Sequence, residues 1–249
     1  MIFNTPLYAA GFASDLIRGV DELRPWDLNS TILSTVTTAT TILDIGTGDA
    51  RKMVPLAAHV HQISAIEPSP AMRTLAQERI ASAKIKNIHI IDGRCENLPF
   101  PNNSFDLVTS SLAPWDEKEV YRVLKPGGLF INETIGCEDK LNFKMAFGKD
   151  MAGNWRGQLM SFDNVNYIPR LNAELEPFFN EINIRNGFWN TYYTKEGLLQ
   201  LCLYTSTIKG FNLEEDHSTL EDIAEKLMAK NGTIKLMQNR LLIMAKKKQ

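Results

Sequence analysis

TILDIGTGDARKMV, residues Thr41 to Val54, carries a strand, a glycine turn and a helix start in fourteen residues. Thr41, Ile42, Leu43 and Ile45 are apolar or β-branched and run into Gly46-Thr47-Gly48-Asp49-Ala50, after which the residues suit a helix. A buried strand, a tight glycine turn and a helix start present backbone N–H groups and a positive helix end to a ligand. Gly46 and Gly48 are free to adopt positive φ and let a ligand approach the main chain. Asp44 stands out as a carboxylate near the end of an otherwise apolar strand. An ordinary βα turn with a spare aspartate is the plainer alternative for this segment taken alone.

Two nucleotide-binding patterns are excluded by single residues. The dinucleotide fingerprint G-x-G-x-x-G/A needs a small sixth residue where helix packs on strand, and Arg51 stands there. A phosphate-cradling loop would end in Gly-Lys-Ser/Thr, which is absent here. The pattern fits D-x-G-x-G-x-G with Ala50 in place of the last glycine.

Working outward, Lys52 to Val60 predicts a helix with Pro55 early, where a missing N–H is tolerated. Gln62 to Glu67 predicts the second strand. Glu67 ends it 23 positions after Asp44, about where a βαβ nucleotide fold places a carboxylate on ribose hydroxyls. Ser69 caps the following helix with Pro70 at its first position. Asn87 to Ile91 reads as the third strand, ending at Asp92-Gly93. ENLPFPNNSFDLV (Glu96 to Val108) is a loop into the fourth strand, and VLKPGGLFI (Val123 to Ile131) is a helix end, a turn and the fifth strand. Strands alternating with helices at this spacing imply a parallel, doubly wound sheet.

These landmarks bring out a family likeness. ENLPFPNNSFDLV followed by YRVLKPGGLF, downstream of LDIGTGDA, resembles the methyltransferase type 11 group of class I S-adenosylmethionine (SAM)-dependent methyltransferases, which includes quinone-biosynthesis C-methyltransferases. The likeness spans about residues 40–134. It implies a Rossmann-like, seven-stranded, mostly parallel sheet with a helical cap insertion, and SAM as cofactor with S-adenosylhomocysteine as product. It also implies a set of cofactor contacts at Asp44, Gly46, Thr47, Gly48, Glu67, Pro68, Asp92, Gly93, Cys95 and Ser110. Asp44 and the Gly46–Gly48 backbone would approach the methionine part, Glu67 the ribose, Asp92 and Cys95 the adenine, and Ser110 the transferring end. Three departures stand out. Arg94 replaces an acidic residue before C-E-N-L-P. The segment between FDLV and LKPGG is about two helical turns shorter than usual. Leu112-Ala113-Pro114-Trp115 occupies the place after the fourth strand where relatives often carry an aromatic or histidine. No catalytic residue is legible.

The flanks are read as one methyltransferase domain over residues 1–249, with an N-terminal helix or flap in 1–29 and a cap insertion at 135–180. The N-terminal helix is expected from Ala9 to Leu23, with Leu16, Ile17, Val20 and Leu23 on one face. It would pack on the sheet edge or form a flap bringing Tyr8 or Arg18 to the ligand. The insertion holds Phe143, Phe147, Trp155, Phe162, Tyr167, Phe178 and Phe179, too aromatic for disorder. It is read as a helical cap over the ligand, or else as a subdomain with a small core of its own. Strand six is expected over Glu181 to Tyr193 and a helix over Lys195 to Tyr204. A capping box at Ser218-Thr219-Leu220-Glu221 would open another helix, preceded by His217 as a candidate base. A last strand is expected over Thr233 to Ala245, followed by a solvated Lys246-Lys247-Lys248 end.

Composition narrows the function classes. The 249 residues are 44% hydrophobic with a net charge of −2 and a pI near 6.1, which gives no global pull toward nucleic acid. Three widely spaced cysteines form no C-x-x-C pair, so a disulfide framework is not expected and a cytoplasmic setting is. MIFNTPLYAAGFASDLI lacks the pattern of a signal peptide, and no window approaches the ~18 apolar residues of a membrane span. His59 and His61 form an H-x-H at a helix-to-strand junction. That junction is away from the strands' carboxyl ends, where ligands bind, so a metal is not expected. Asn-Pro-Pro-Tyr is absent after strand four, which disfavours exocyclic-amine methylation. The reading is therefore methyl transfer to a small organic acceptor. An RNA base methyltransferase and a non-catalytic SAM-binding subunit or sensor are the alternatives. Within residues 143–179, Lys144, Lys149, Arg156 and Arg170 are balanced by Asp150, Asp163, Glu174 and Glu176, whereas RNA affinity rests on phosphate neutralisation.

Overall fold

The computed structural model describes residues 16–158 and 164–249. Its strands are β1 (Val20–Asp21), β2 (Thr41–Ile45), β3 (Gln62–Ile66), β4 (Ile88–Ile91), β5 (Phe105–Ser111), β6 (Leu124–Ile135), β7 (Phe179–Tyr193) and β8 (Ile234–Lys247). Its α-helices are α1 (Leu28–Leu33), α2 (Pro70–Ser82), α3 (Glu117–Val123), α4 (Leu141–Ala146), α5 (Asn164–Leu175), α6 (Lys195–Tyr204) and α7 (Leu213–Lys226). The strand order is β1-β7-β8-β6-β5-β2-β3-β4. The seven expected strands are present, joined by the two-residue β1, which pairs antiparallel with β7. The pairs β2·β3, β2·β5, β3·β4 and β5·β6 are parallel.

The chain groups into two compact units. The larger comprises Trp26–Thr134, Val165–Asn186 and Leu241–Gln249; the smaller comprises Met1–Pro25, Ile135–Asn164 and Gly187–Arg240. The stretch 135–180 thus divides between them. In the larger unit the inner parallel strands β2, β3 and β5 are buried on both faces, as such sheets require, whereas the edge strand β4 is partly exposed. Leu43, Ile45, Val108, Phe130 and Ile243 pack in one cluster, while Ile42, Ile63, Leu107, Ile131 and Leu242 pack in another. Successive strand residues point to opposite faces, so a run such as Ile42-Leu43 supplies both. β2 sits where the strand order reverses: β3 and β4 lie to one side of it, β5 and β6 to the other. Such a switch point opens a crevice beyond the carboxyl ends of the strands.

The smaller unit has its own core. Phe143 and Phe147 of α4 and its end pack with Tyr193, with Leu198, Leu201 and Cys202 of α6, and with Leu220, Ile223 and Ala224 of α7. Phe178 and Phe179 belong instead to the larger unit, beside Tyr121 and Phe130. Four of the insertion's aromatics, Phe143, Phe147, Phe178 and Phe179, therefore divide between two separate cores, while Trp155 and Tyr167 are only partly buried, with Lys149 and Arg170 over their rings. The density of those four answers to packing. Phe162 lies outside the described residues.

Several local expectations change. Within the expected Ala9–Leu23 helix, only a 3-10 turn at Leu16–Arg18 is described before Val20–Asp21 forms a strand; Tyr8 and the helix's first half lie outside the described residues. Leu23 is almost fully exposed, so the helical face drawn through it does not exist. Lys52 to Val60 contains a 3-10 helix at Val54–His59. The capping box at Ser218 is not used. α7 is capped instead by Asn212, whose side chain accepts from Glu214 N at 2.9 Å, and His217 and Ser218 lie inside the helix. The Lys125-Pro126-Gly127-Gly128 turn is a bulge within β6, opposite the register shift at Phe105/Leu107.

The lysine tail is also structured. β8 runs through Lys247, whose ammonium donates to Leu124 O at 2.7 Å and Asn103 Oδ1 at 2.8 Å and lies over the Tyr121 ring. Burial lowers its pKa. Lys246 only pairs with Glu181 at the surface, an arrangement of small value. Lys247→Ala should therefore destabilise the fold by on the order of 2 kcal/mol, as for lost hydrogen bonds to a charged group. Lys246→Ala should stay within ~0.5 kcal/mol. Urea unfolding of both variants checks this; equal effects would return the tail to solvent.

Candidate functional site

The turn after β2 is fastened to the end of β3 by main-chain bonds. Gly46 N and Thr47 N both donate to Ile66 O, at 2.9 and 3.1 Å. Gly46 takes φ +72° and Gly48 φ +58°. A Cβ on Gly46 would also lie 2.4 Å from the Ala113 Cβ, so glycine is needed there for both conformation and space. Ala50 adopts φ +58° in the same left-handed region. That is the position where the sequence pattern has its third glycine, and an L-residue is strained there by roughly 1 kcal/mol. Arg51, too large for a dinucleotide fingerprint, turns aside to Asp49, which Arg79 also binds at 2.9 Å. Burial raises the Asp49 carboxyl, but these two guanidinium groups hold it below its usual range.

Asp44 is buried in register with Thr109 of β5, whose hydroxyl donates to its Oδ1 at 2.8 Å. Burial is the largest influence and pushes the carboxyl up to about 6, against the Thr109 and Thr47 hydroxyls and the Lys52 charge. The Thr47 hydroxyl is near enough to favour the charged form, yet its buried oxygen has no properly directed hydrogen bond within the protein. Glu67 follows β3 and is equally enclosed. Its two oxygens accept from Gly48 N at 3.0 Å and Ser69 N at 2.8 Å, bonds that oppose the upward push of burial. The carboxylate is thereby clamped against the glycine turn, with half-buried Pro68 beside it.

The remaining expected residues are placed less uniformly. Asp92 follows β4 with a largely exposed side chain held by Arg73 at 2.9 Å; Arg73 also donates to Glu67 O at 2.6 Å. Gly93 packs on Ile66, whose Cγ2 would stand 3.0 Å from an added Cβ. Cys95 lies in the apolar cluster with Ile66 and Leu98. Burial pushes its thiol up to about 11, so it stays protonated and is a poor nucleophile. Ser110 is buried, and its hydroxyl bonds the Ala113 carbonyl at 3.1 Å. It thus shapes the 110–113 turn, in which Leu112 takes φ +55°. Asp44, the glycine turn, Glu67 and Ser110 converge at the switch point; Asp92, Gly93 and Cys95 follow the end of β4.

A further group was not singled out from sequence. Glu133, almost fully buried in β6, accepts from Trp26 Nε1 at 2.9 Å and lies 3.4 Å from Ser111 Oγ and 3.6 Å from Lys52 Nζ. Lys52 also bonds Ser111 Oγ and bears on Asp44, so it links the two buried carboxylates. The available signal was the same as for Asp44: one acidic residue, in LFINETI, near the end of an apolar strand.

The raised Asp44 pKa has a definite consequence. The folded state binds this proton more tightly than the unfolded chain, so the group costs stability above pH ~6 and the cost disappears as pH falls toward 3.8. A shift of that size corresponds to about 3 kcal/mol. In the ligand-free protein, Asp44→Asn should be more stable than wild type at pH ~8, with the advantage shrinking toward pH ~4.5. Urea unfolding across that range measures the difference, and a pH-independent difference would contradict the buried, raised carboxyl.

Residues 42–128, from β2 to the β6 bulge, match the family described as a methyltransferase domain. A demethylmenaquinone methyltransferase of Listeria monocytogenes is 31% identical over 113 residues, covering 41% of this chain and 48% of that protein. A malonyl-[acyl-carrier protein] O-methyltransferase of a Marinomonas species is 37% identical over 106 residues, covering 39% of this chain and 38% of that protein. The chain thus spans less than half of the length of these curated relatives. A putative methyltransferase of Bacillus halodurans shares the fold, with a TM-score of 0.63 at 15% identity over 89% of this chain and 97% of that one. Over residues 42–128 the chain is thus similar to the methyltransferase domain, that of demethylmenaquinone methyltransferases included.

Proposed function

We propose that the protein transfers a methyl group from SAM to a small organic acceptor, holding the donor with Asp44, Gly46, Thr47, Gly48, Glu67, Pro68, Asp92, Gly93, Cys95 and Ser110. The observation that carries this reading is the Glu67 carboxylate bonded to Gly48 N and Ser69 N at the switch point. Two acceptor oxygens held rigidly beside a glycine turn suit a vicinal diol, because each oxygen keeps a lone pair beyond its N–H bond. The unsatisfied Thr47 hydroxyl and the left-handed glycines fit a polar ligand end in the same turn. Asp44, ionised at neutral pH, suits a cationic amino group.

SAM supplies a methyl group on a sulfonium, a leaving group already activated by its positive charge. The protein's share is then chiefly to hold donor and acceptor in line at near-attack distance. A base is needed only where the acceptor must lose a proton to become nucleophilic. The curated relatives act, by their names, on demethylmenaquinone and on a malonyl group of a carrier protein. They support a small-molecule acceptor without agreeing on one. No positive excess in the insertion favours the RNA reading.

Glu67→Gln should weaken S-adenosylhomocysteine binding about tenfold or more, the effect of losing charge-assisted hydrogen bonds. NAD should give no thermal stabilisation at concentrations where S-adenosylhomocysteine does. Titration calorimetry and melting curves test both, with folding of the variant confirmed by circular dichroism. Unchanged affinity in the variant, or a melting shift with NAD alone, would sink the donor assignment.

A further inference from the structure

Among the described residues of the smaller unit, three buried cations crowd one buried carboxylate. Asp139, just before α4, is almost fully buried. Its Oδ2 accepts from Lys140 Nζ at 3.0 Å and lies 3.5 Å from Lys144 Nζ. Its Oδ1 accepts from Arg240 Nη1 and, at 3.2 Å, from Asn239 N. Lys140, Lys144 and Arg240 are only 7%, 3% and 8% exposed. Among the described residues, Asp139 is the sole carboxylate paired with any of the three. Three cations against one anion leave two positive charges uncompensated among the described residues. Burial, together with its cationic neighbours, pulls Lys140 down to about 8.

The spare hydrogen-bonding capacity around the cluster is donor capacity. Gln238 Oε1 is occupied by Lys140 Nζ at 2.7 Å and Arg240 Nη2 at 3.2 Å, while its buried Nε2 has no properly directed hydrogen-bond partner. Among the described residues, the Lys144 ammonium meets only the Asp139 carboxylate, leaving N–H groups to spare. The Tyr193 phenol, beside Gln238, is pushed upward by burial and by Asp139, which keeps it protonated. The frame is rigid. Gly136 N donates to Asn239 O at 2.9 Å and Lys140 N to Met237 O at 2.8 Å. An added Cβ on Gly136 would stand 1.9 Å from Asn239 Oδ1.

A cation would be repelled here, and a neutral ligand would leave the charge standing. We propose that Lys140, Lys144, Arg240 and Gln238 form a binding site for a compact dianion, such as the phosphate group of a phosphate monoester. Two negative charges neutralise the cluster, and the oxygens accept from Lys144, Gln238 Nε2 and the Arg240 guanidinium, a group suited to phosphate. The alternative is a purely structural tie between α4 and β8. The site is assigned independently of the methyl donor.

The test is titration calorimetry of the full chain with inorganic phosphate at low ionic strength. Wild type should bind saturably, and Lys144→Gln should bind about tenfold more weakly or worse, while both bind S-adenosylhomocysteine equally. Absence of saturable phosphate binding in wild type, or equal binding by the variant, would overturn the proposal. Acetate binding as tight as phosphate would overturn the dianion assignment. Should Lys144→Gln fail to fold, wild-type crystals soaked in tungstate must show anomalous density in contact with Lys144 and Arg240; its absence would equally overturn the site. Loss of S-adenosylhomocysteine binding by wild type would count against the donor reading alone.

Discussion

The turn that closes β2 onto the end of β3 is the constraint from which the larger unit's chemistry follows. Gly46 N and Thr47 N share the Ile66 carbonyl, and Gly48 N reaches the Glu67 carboxylate. These contacts require positive φ at Gly46 and Gly48 and no side chain at Gly46 where Ala113 approaches. With that turn in place, the ends of β2, β3 and β5 present Asp44, Glu67 and Ser110 together at the switch point. Ala50 shows how strongly the turn is imposed: an alanine is carried in a conformation that glycine adopts without strain.

Buried charge is handled differently from place to place. Asp49 is matched by two guanidinium groups, and Glu133 by Trp26, Ser111 and Lys52. Both sets tie segments far apart in the chain and leave their carboxylates satisfied. Asp44 is less fully answered, with one well-formed bond to Thr109 and a pKa raised by burial. A group kept costly in the ligand-free state is one whose cost a cationic partner relieves. The Asp139 cluster has the opposite imbalance, with cations in excess.

Strand and turn positions in the larger unit were readable along the chain because period, glycine and cap preferences act over a few residues. β2, β3 and the Ser69 cap with Pro70 lie where residue patterns put them, as does α6 over Lys195–Tyr204 in the smaller unit. The same local rules misplaced the start of α7: Ser218 and Asn212 are both cap-forming residues, and the cap used is Asn212, whose N–H donates to the Asp216 carboxylate that Arg156 holds from 60 positions away. They also misjudged Lys247, a charge whose neighbours Leu124 and Tyr121 come from far away in the chain.

The carboxylates of the candidate donor site were visible in the primary structure because each one interrupts an apolar strand at its end. Asp44 and Glu67 needed no knowledge of neighbours to be noticed. Their partners did: Thr109 reaches Asp44 through the parallel register of β2 and β5, and Trp26 reaches Glu133 across 107 positions. Folding likewise decided that Phe143 and Phe147 fill one core and Phe178 and Phe179 another, and that Lys140, Lys144 and Arg240 crowd one aspartate. Charge and apolarity are properties of single residues; burial and pairing arise only when distant segments meet.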